Sequence, residues 1–236
     1  MELGVFMLPL FIAIILFLWI LLLHRRARLT HESIQRDLIL SFQPSFVPRP
    51  PVWMAVRADP MAVQAALGLK HQSPCSWSEG MTGERQFFIG PPVNGWTIVT
   101  GGGLPNPSCD VDDCFRFLIR MSKLLGQVQF FQADRILHHH AWARAENGEV
   151  IRAYAWAGHT IWNQGPKTAA EIELRMKCFS YGEDPDANSW ASVEWTASNV
   201  GKVPLLAMCW SLDPARINER ARNYADGIAG ESSRVD

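Results

Sequence analysis

The chain has 236 residues, 48% of them hydrophobic, and a formal net charge of −1. That balance excludes the broad basic field by which proteins hold nucleic acid, so no nucleic-acid partner is expected. Five cysteines (Cys75, Cys109, Cys114, Cys178, Cys209) at irregular spacings, with no CxxC, exclude a legible disulfide framework and read as buried, reduced thiols.

In chain order the first element is Val5–Leu23, a run of 19 uncharged and mostly apolar residues. At a rise of about 1.5 Å per residue, a helix of that length just crosses the hydrocarbon core of a bilayer. No Lys or Arg precedes it, and Arg25, Arg26 and Arg28 follow where a signal peptide would need small residues. The run is expected to stay as a transmembrane helix, with the lipid bilayer as the chain's first partner. Basic residues favour the cytoplasmic side. The expectation is therefore a single-pass protein of the inner (cytoplasmic) membrane, N-terminus out, with the following domain in the cytoplasm; an exported domain is the alternative.

Residues 1–28 thus read as anchor and basic flank, and residues 29–51 as a juxtamembrane spacer. Four prolines between Gln43 and Pro51 rule out helix there and stiffen the chain. Residues 52–212 are expected to form an α+β domain, mainly an antiparallel sheet with packed helices. Residues 213–236 read as a C-terminal helix and a loose tail.

Val52–Val56 reads as a strand, and Pro60 opens a short helix that ends before Gly68. Gln86–Ile89 and Trp96–Thr100 read as strands. Asp110 caps a helix running to Leu125, stopped by Gly126, with Val111, Cys114, Phe115, Leu118, Met121 and Leu125 on its apolar face and Arg116, Arg120 and Lys123 on the solvated one. Arg135–Arg144 and Val150–Trp156 flank Asn147-Gly148, the favoured two-residue hairpin turn. With that turn as centre, paired numbers sum to 295. Ala143 then faces Arg152, Ala141 faces Tyr154, His139 faces Trp156, Trp142 faces Ala153 and His140 faces Ala155, small against large. His159–Trp162 adds a strand.

Thr168-Ala169-Ala170-Glu171 is a capping box, and Glu171/Arg175 and Glu173/Lys177 are spaced as helix ion pairs. Ser189–Asn199 reads as a helix presenting Trp190, Val193 and Ala197. Asp213-Pro214 opens a last helix with Ile217, Ala221 and Tyr224 on one face, ended by Gly227. Ten tryptophans, nine outside the anchor, are expected to pack a sheet core.

His138 and His140, two apart on a strand, would point to one face and could offer two ligands to zinc, which needs at least a third. On that basis a metal-dependent hydrolase is one alternative function; otherwise no cofactor is expected. Gly101-Gly102-Gly103 lacks the spacing and lysine of a phosphate loop and reads as a turn. Cys75, with His71 four residues before it, lacks a visible orienting group for a nucleophile. No Ser-His-Asp order or carboxylate pair stands out.

The central region resembles a group of uncharacterised bacterial proteins. The shared features are Gly95-Trp96, Gly126, Trp142-Ala143-Arg144, Asn147-Gly148, Arg152 with Tyr154, Gly165 with Thr168 and Glu171, and Trp210-Ser211-Leu212-Asp213-Pro214. The resemblance covers about 120 residues and implies a stand-alone bacterial domain, with no activity attached. The function expected from all of this is a membrane-anchored, non-enzymatic domain that binds a protein partner, in an immunity or envelope-accessory role. Arg144, Arg152, Tyr154 and Trp156 on an exposed hairpin face are its candidate binding residues. An envelope glycan binder is the reading tied to the exported topology.

Overall fold

A computed structural model of the chain describes residues 50–183, 190–217 and 226–232. All belong to the second of the two units into which the chain divides, residues 45–236. Val5–Leu23 and most of the proline-rich spacer lie outside the described residues. Among those described, no helix is long and apolar enough to cross a membrane.

The architecture is α+β, built on one nine-stranded sheet whose neighbouring strands are all antiparallel. The strands are β1 (Val52–Val56), β2 (Leu69–Cys75), β3 (Phe87–Ile89), β4 (Thr97–Thr100), β5 (Gln127–Ala133), β6 (His140–Glu146), β7 (Glu149–Trp156), β8 (Thr160–Gln164) and β9 (Gly227–Ser232). The helices are α1 (Pro60–Leu67), α2 (Trp77–Gly80), α3 (Val111–Leu125), α4 (Ala169–Glu173) and α5 (Trp190–Trp210), followed by a 3-10 turn at Pro214–Arg216. Across the sheet the order is β2-β9-β3-β4-β1-β5-β6-β7-β8.

Local chemistry sets the helix ends. The Asp59 carboxylate accepts the N–H groups of Met61 and Ala62, Pro60 surrenders a donor that would lack a partner there, and Gly68 closes α1 at φ 64°. Asp110 likewise accepts the Asp113 N–H at the start of α3. One sheet face packs Met54, Val56, Ile89, Val99, Val128 and Phe130 beneath α1 and α3. Ala141, Ala143, Ala145, Ala153 and Ala155 belong to the same core, and their small side chains leave room for α3 to lie close. From α3 come Cys114, Phe117, Leu118 and Met121, while Arg116, Arg120 and Lys123 stay exposed. The other face buries Trp53, Phe131, Trp142 and Tyr154, and α5 packs on β5 and β6. Trp53, Trp77, Trp142, Trp156 and Trp162 are all core residues, the use of tryptophan expected for a sheet.

The strand expected from Arg135 begins only at His140, and three expected helices change. The helix after Thr168 is only Ala169–Glu173, because Arg175 takes a left-handed φ of 52°; neither Glu171/Arg175 nor Glu173/Lys177 is then a pair along a helix. The helix expected at Ser189–Asn199 runs on to Trp210, with Pro204 inside it. At the C-terminus Asp213 caps a 3-10 turn, its carboxylate accepting the Ala215 N–H. Gly227 then opens β9, which lies between β2 and β3 where a loose tail was expected. Ala221 and Tyr224 fall outside the described residues.

Candidate functional site

The β6–β7 hairpin carries the candidate residues. Its turn has positive φ at both central positions, 50° at Asn147 and 90° at Gly148, the geometry that matches the twist of the strands. The expected pairing holds for two rungs, Glu146 with Glu149 and Ala145 with Val150. A bulge at Ile151 then shifts the register by one. Arg144 faces Arg152, Trp142 faces Tyr154, His140 faces Trp156, and Ala143 faces Ala153. The small-against-large pairing is therefore corrected to like against like. One extra residue in β7 gathers the long polar and aromatic side chains on one face and leaves the alanines to α3.

That face is not the open one expected. Arg152, Tyr154 and Trp156 are buried, and only Arg144, with 36% of its side chain exposed, reaches solvent. Arg144 Nε donates to Glu146 Oε1 at 2.7 Å.

Arg152 is wholly enclosed, and its charge is answered by Glu171, also wholly enclosed. Arg152 Nε donates to both Glu171 oxygens at 2.9 and 3.1 Å. Its Nη1 reaches the carbonyls of Ala153, Gln164 and Gly165 and the Asn163 side-chain oxygen, and its Nη2 reaches Cys178 Sγ at 3.3 Å. Glu171 in turn accepts Trp142 Nε1–H at 2.8 Å and both the N–H and the hydroxyl of Thr168 at 2.8 and 2.9 Å. The capping box expected from sequence is present, and it holds the carboxylate beneath β7. A buried ion pair survives desolvation only with this degree of satisfaction. Burial pushes the Cys178 thiol up to about 11 despite the neighbouring guanidinium, so this sulfur is protonated at neutral pH and a poor nucleophile.

Beside this pair, the Tyr154 hydroxyl accepts the Phe179 N–H at 3.2 Å and meets Thr160 Oγ1 at 3.4 Å. Burial raises its pKa further above the ordinary phenol range. Trp156 packs on Phe179, ring centres 5.3 Å apart. His140, stacked on Trp142, completes the row. Its Nδ1 bonds the His138 carbonyl at 3.2 Å and its Nε2 meets Asn199 Nδ2 at 3.2 Å. Asn199 Oδ1 accepts the Lys177 N–H and its Nδ2 donates to the Lys177 carbonyl, which fixes the amide's orientation. Nδ2 therefore donates to His140 Nε2, and the imidazole must be neutral with its proton on Nδ1. Burial accordingly lowers the His140 pKa to about 4.

His138 and His140 do not share a strand face. His138 sits before β6 at φ 55°, and both His140 nitrogens are already engaged. Among the described residues, no group of three or more His, Cys, Asp or Glu could hold a metal ion. In the glycine triplet, the Gly102 and Gly103 N–H groups donate to the carbonyls of Arg85 and Gln86, closing a turn on β3. The Cys75 thiol is buried, and its pKa is raised by that burial and by Glu79.

Sequence reasoning missed the partnership of Arg152 with Glu171 and the role of Asn199. A usable signal existed: one cation inside the apolar run of β7 requires a buried anion, and a capping-box glutamate on a very short helix is placed to supply it. Comparison with known proteins finds no family model, no curated protein and no solved structure that matches this chain.

Proposed function

We propose that this chain is a membrane-anchored binding domain, tethered through Val5–Leu23 with the domain on the cytoplasmic side, and that it engages a protein partner in an immunity or envelope-accessory role. The observation that carries this reading is the commitment of Arg152, Glu171, Tyr154 and His140 to one another, to the Asn199 side chain and to backbone atoms. Groups so engaged build a rigid scaffold, and a scaffold acts through the surface it presents. Of the four hairpin candidates, Arg144 is the accessible one, paired with Glu146 at the rim of the covered face. Arginine there combines charge with bidentate hydrogen bonding, the property that enriches it at interfaces.

Two measurements test the reading on the full chain. A C-terminal reporter active on only one side of the membrane is expected to signal from the cytoplasm; an exported signal overturns the topology. A photo-crosslinking residue in place of Arg144 is expected to give a protein adduct of one defined mass in cells. If irradiation yields no discrete adduct, the Arg144 surface is not the binding site.

A further inference from the structure

The end of the sheet at which the chain enters β1 carries an apolar tip. The Pro51 carbonyl accepts the N–H of Ala133, the last residue of β5, at 2.8 Å. The chain therefore joins the domain beside the turn that links β5 to β6. That turn, residues 134–139, exposes Ile136 by 91% and Leu137 by 62% next to an exposed Arg135. Single exposed apolar side chains are ordinary, whereas an adjacent pair at a hairpin tip beside a cation has the composition of a membrane-surface contact.

The turn is built to hold that pair outward. Asp134 Oδ1 accepts the N–H groups of Ile136 and Leu137 at 2.8 and 3.0 Å, and the Asp134 N–H donates to the His139 carbonyl at 2.9 Å. The amides beside the two apolar side chains thus have partners inside the protein. Unpartnered N–H groups add to the cost of irregular backbone in lipid, and here both N–H groups have an acceptor.

We propose that the β5–β6 tip docks on the bilayer that anchors the chain, with Ile136 and Leu137 entering the boundary between headgroups and acyl chains and Arg135 meeting lipid phosphates. The position of the tether selects this occupant. Residues 24–50 connect the membrane segment to the same end of the sheet, so the tip is held at high effective concentration beside one surface and a weak contact suffices. The inference rests on the anchored reading above. Met61, 78% exposed in the first turn of α1, lies beyond the opposite end of β1 and serves as the control position.

The test places a benzoylphenylalanine crosslinker at Ile136, at Leu137 or at Met61 in the full chain, reconstituted into vesicles of phosphatidylethanolamine and phosphatidylglycerol. After irradiation, lipid adducts are counted by mass spectrometry, and a parallel sample is extracted with alkali. Lipid adducts several-fold more abundant at positions 136 and 137 than at 61 are expected. Equal yields at the three positions, or adducts to a second copy of the chain in place of lipid, overturn the docking. Retention of the chain after alkali combined with either of those results removes the docking alone. Release by alkali with adducts still concentrated at 136 and 137 removes the anchor and keeps the docking.

Discussion

At Arg152 and Glu171 a full positive and a full negative charge sit out of contact with water, each oxygen and each guanidinium nitrogen partnered. Removing one member strands the other, which in buried pairs destabilises by about 3–5 kcal/mol. Glu171→Gln is expected to fall in that range, read as a lower urea midpoint. Replacing both, as in Arg152→Met with Glu171→Leu, should recover part of the loss; a double variant as unstable as the sum of the singles would contradict the pairing. His140 gives a second handle. Its folded pKa, about 4, lies below the ordinary 6.5, so protons bind the unfolded chain first. The stability it contributes is whole above pH 6.5 and declines as pH falls toward 4, by about 3 kcal/mol in total. His140→Gln should flatten that slope in unfolding curves taken across the window, while an unchanged slope would assign it to other groups.

The β6–β7 hairpin shows what was legible at the level of elements and what was not. Asn147-Gly148 marks its turn unambiguously, because few sequences accept positive φ twice in succession. Nothing in Val150-Ile151-Arg152 announces a bulge, since the extra residue is defined by its neighbours across the sheet. Gly165 is one such neighbour: at φ 72°, a Cβ there would overlap the Ile151 carbonyl oxygen. Gly165→Ala is therefore expected to destabilise the domain beyond the roughly 1 kcal/mol of left-handed strain that Gly158→Ala incurs in open space. Thermal melts of the two variants check this, and equal shifts would show that the bulge has room to move. β1, α1 and α3 were readable from caps and periodicity. β9 was not, because its glycines oppose strand propensity; a Cβ at Gly227 would collide with the Phe88 ring and the Ile89 carbonyl. Close approach demanded glycine there, and glycine reads as a stop.

For the whole molecule the decisive placement is β9, which joins β2 on one side and β3 on the other. Ending the chain at Asp226 removes the strand, detaches β2 from the sheet and bares the edge of β3. The shortened chain is expected to lose cooperative unfolding and to be degraded rapidly by protease, and a cooperative transition at the original midpoint would mean that the sheet does not depend on β9. The covering of both faces also accounts for the burial of Arg152, Tyr154 and Trp156. A reader of β7 alone sees arginine and aromatics suited to a partner, and cannot see that Glu171 of α4, with Cys178 and Phe179 after it, has taken that role.

The same placement of β9 sets a clock. The Ser232 N–H bonds Gln86 Oε1 across 146 positions of chain, so the sheet is finished only when its last-made strand arrives. At about 5–20 residues per second, roughly seven to thirty seconds of synthesis separate β3 from β9. Throughout that interval β2 and β3 leave the ribosome as unpaired edges, open to strands of other nascent chains. The exposed, polar middle of β2, Lys70-His71-Gln72-Ser73-Pro74, suits a strand that must wait.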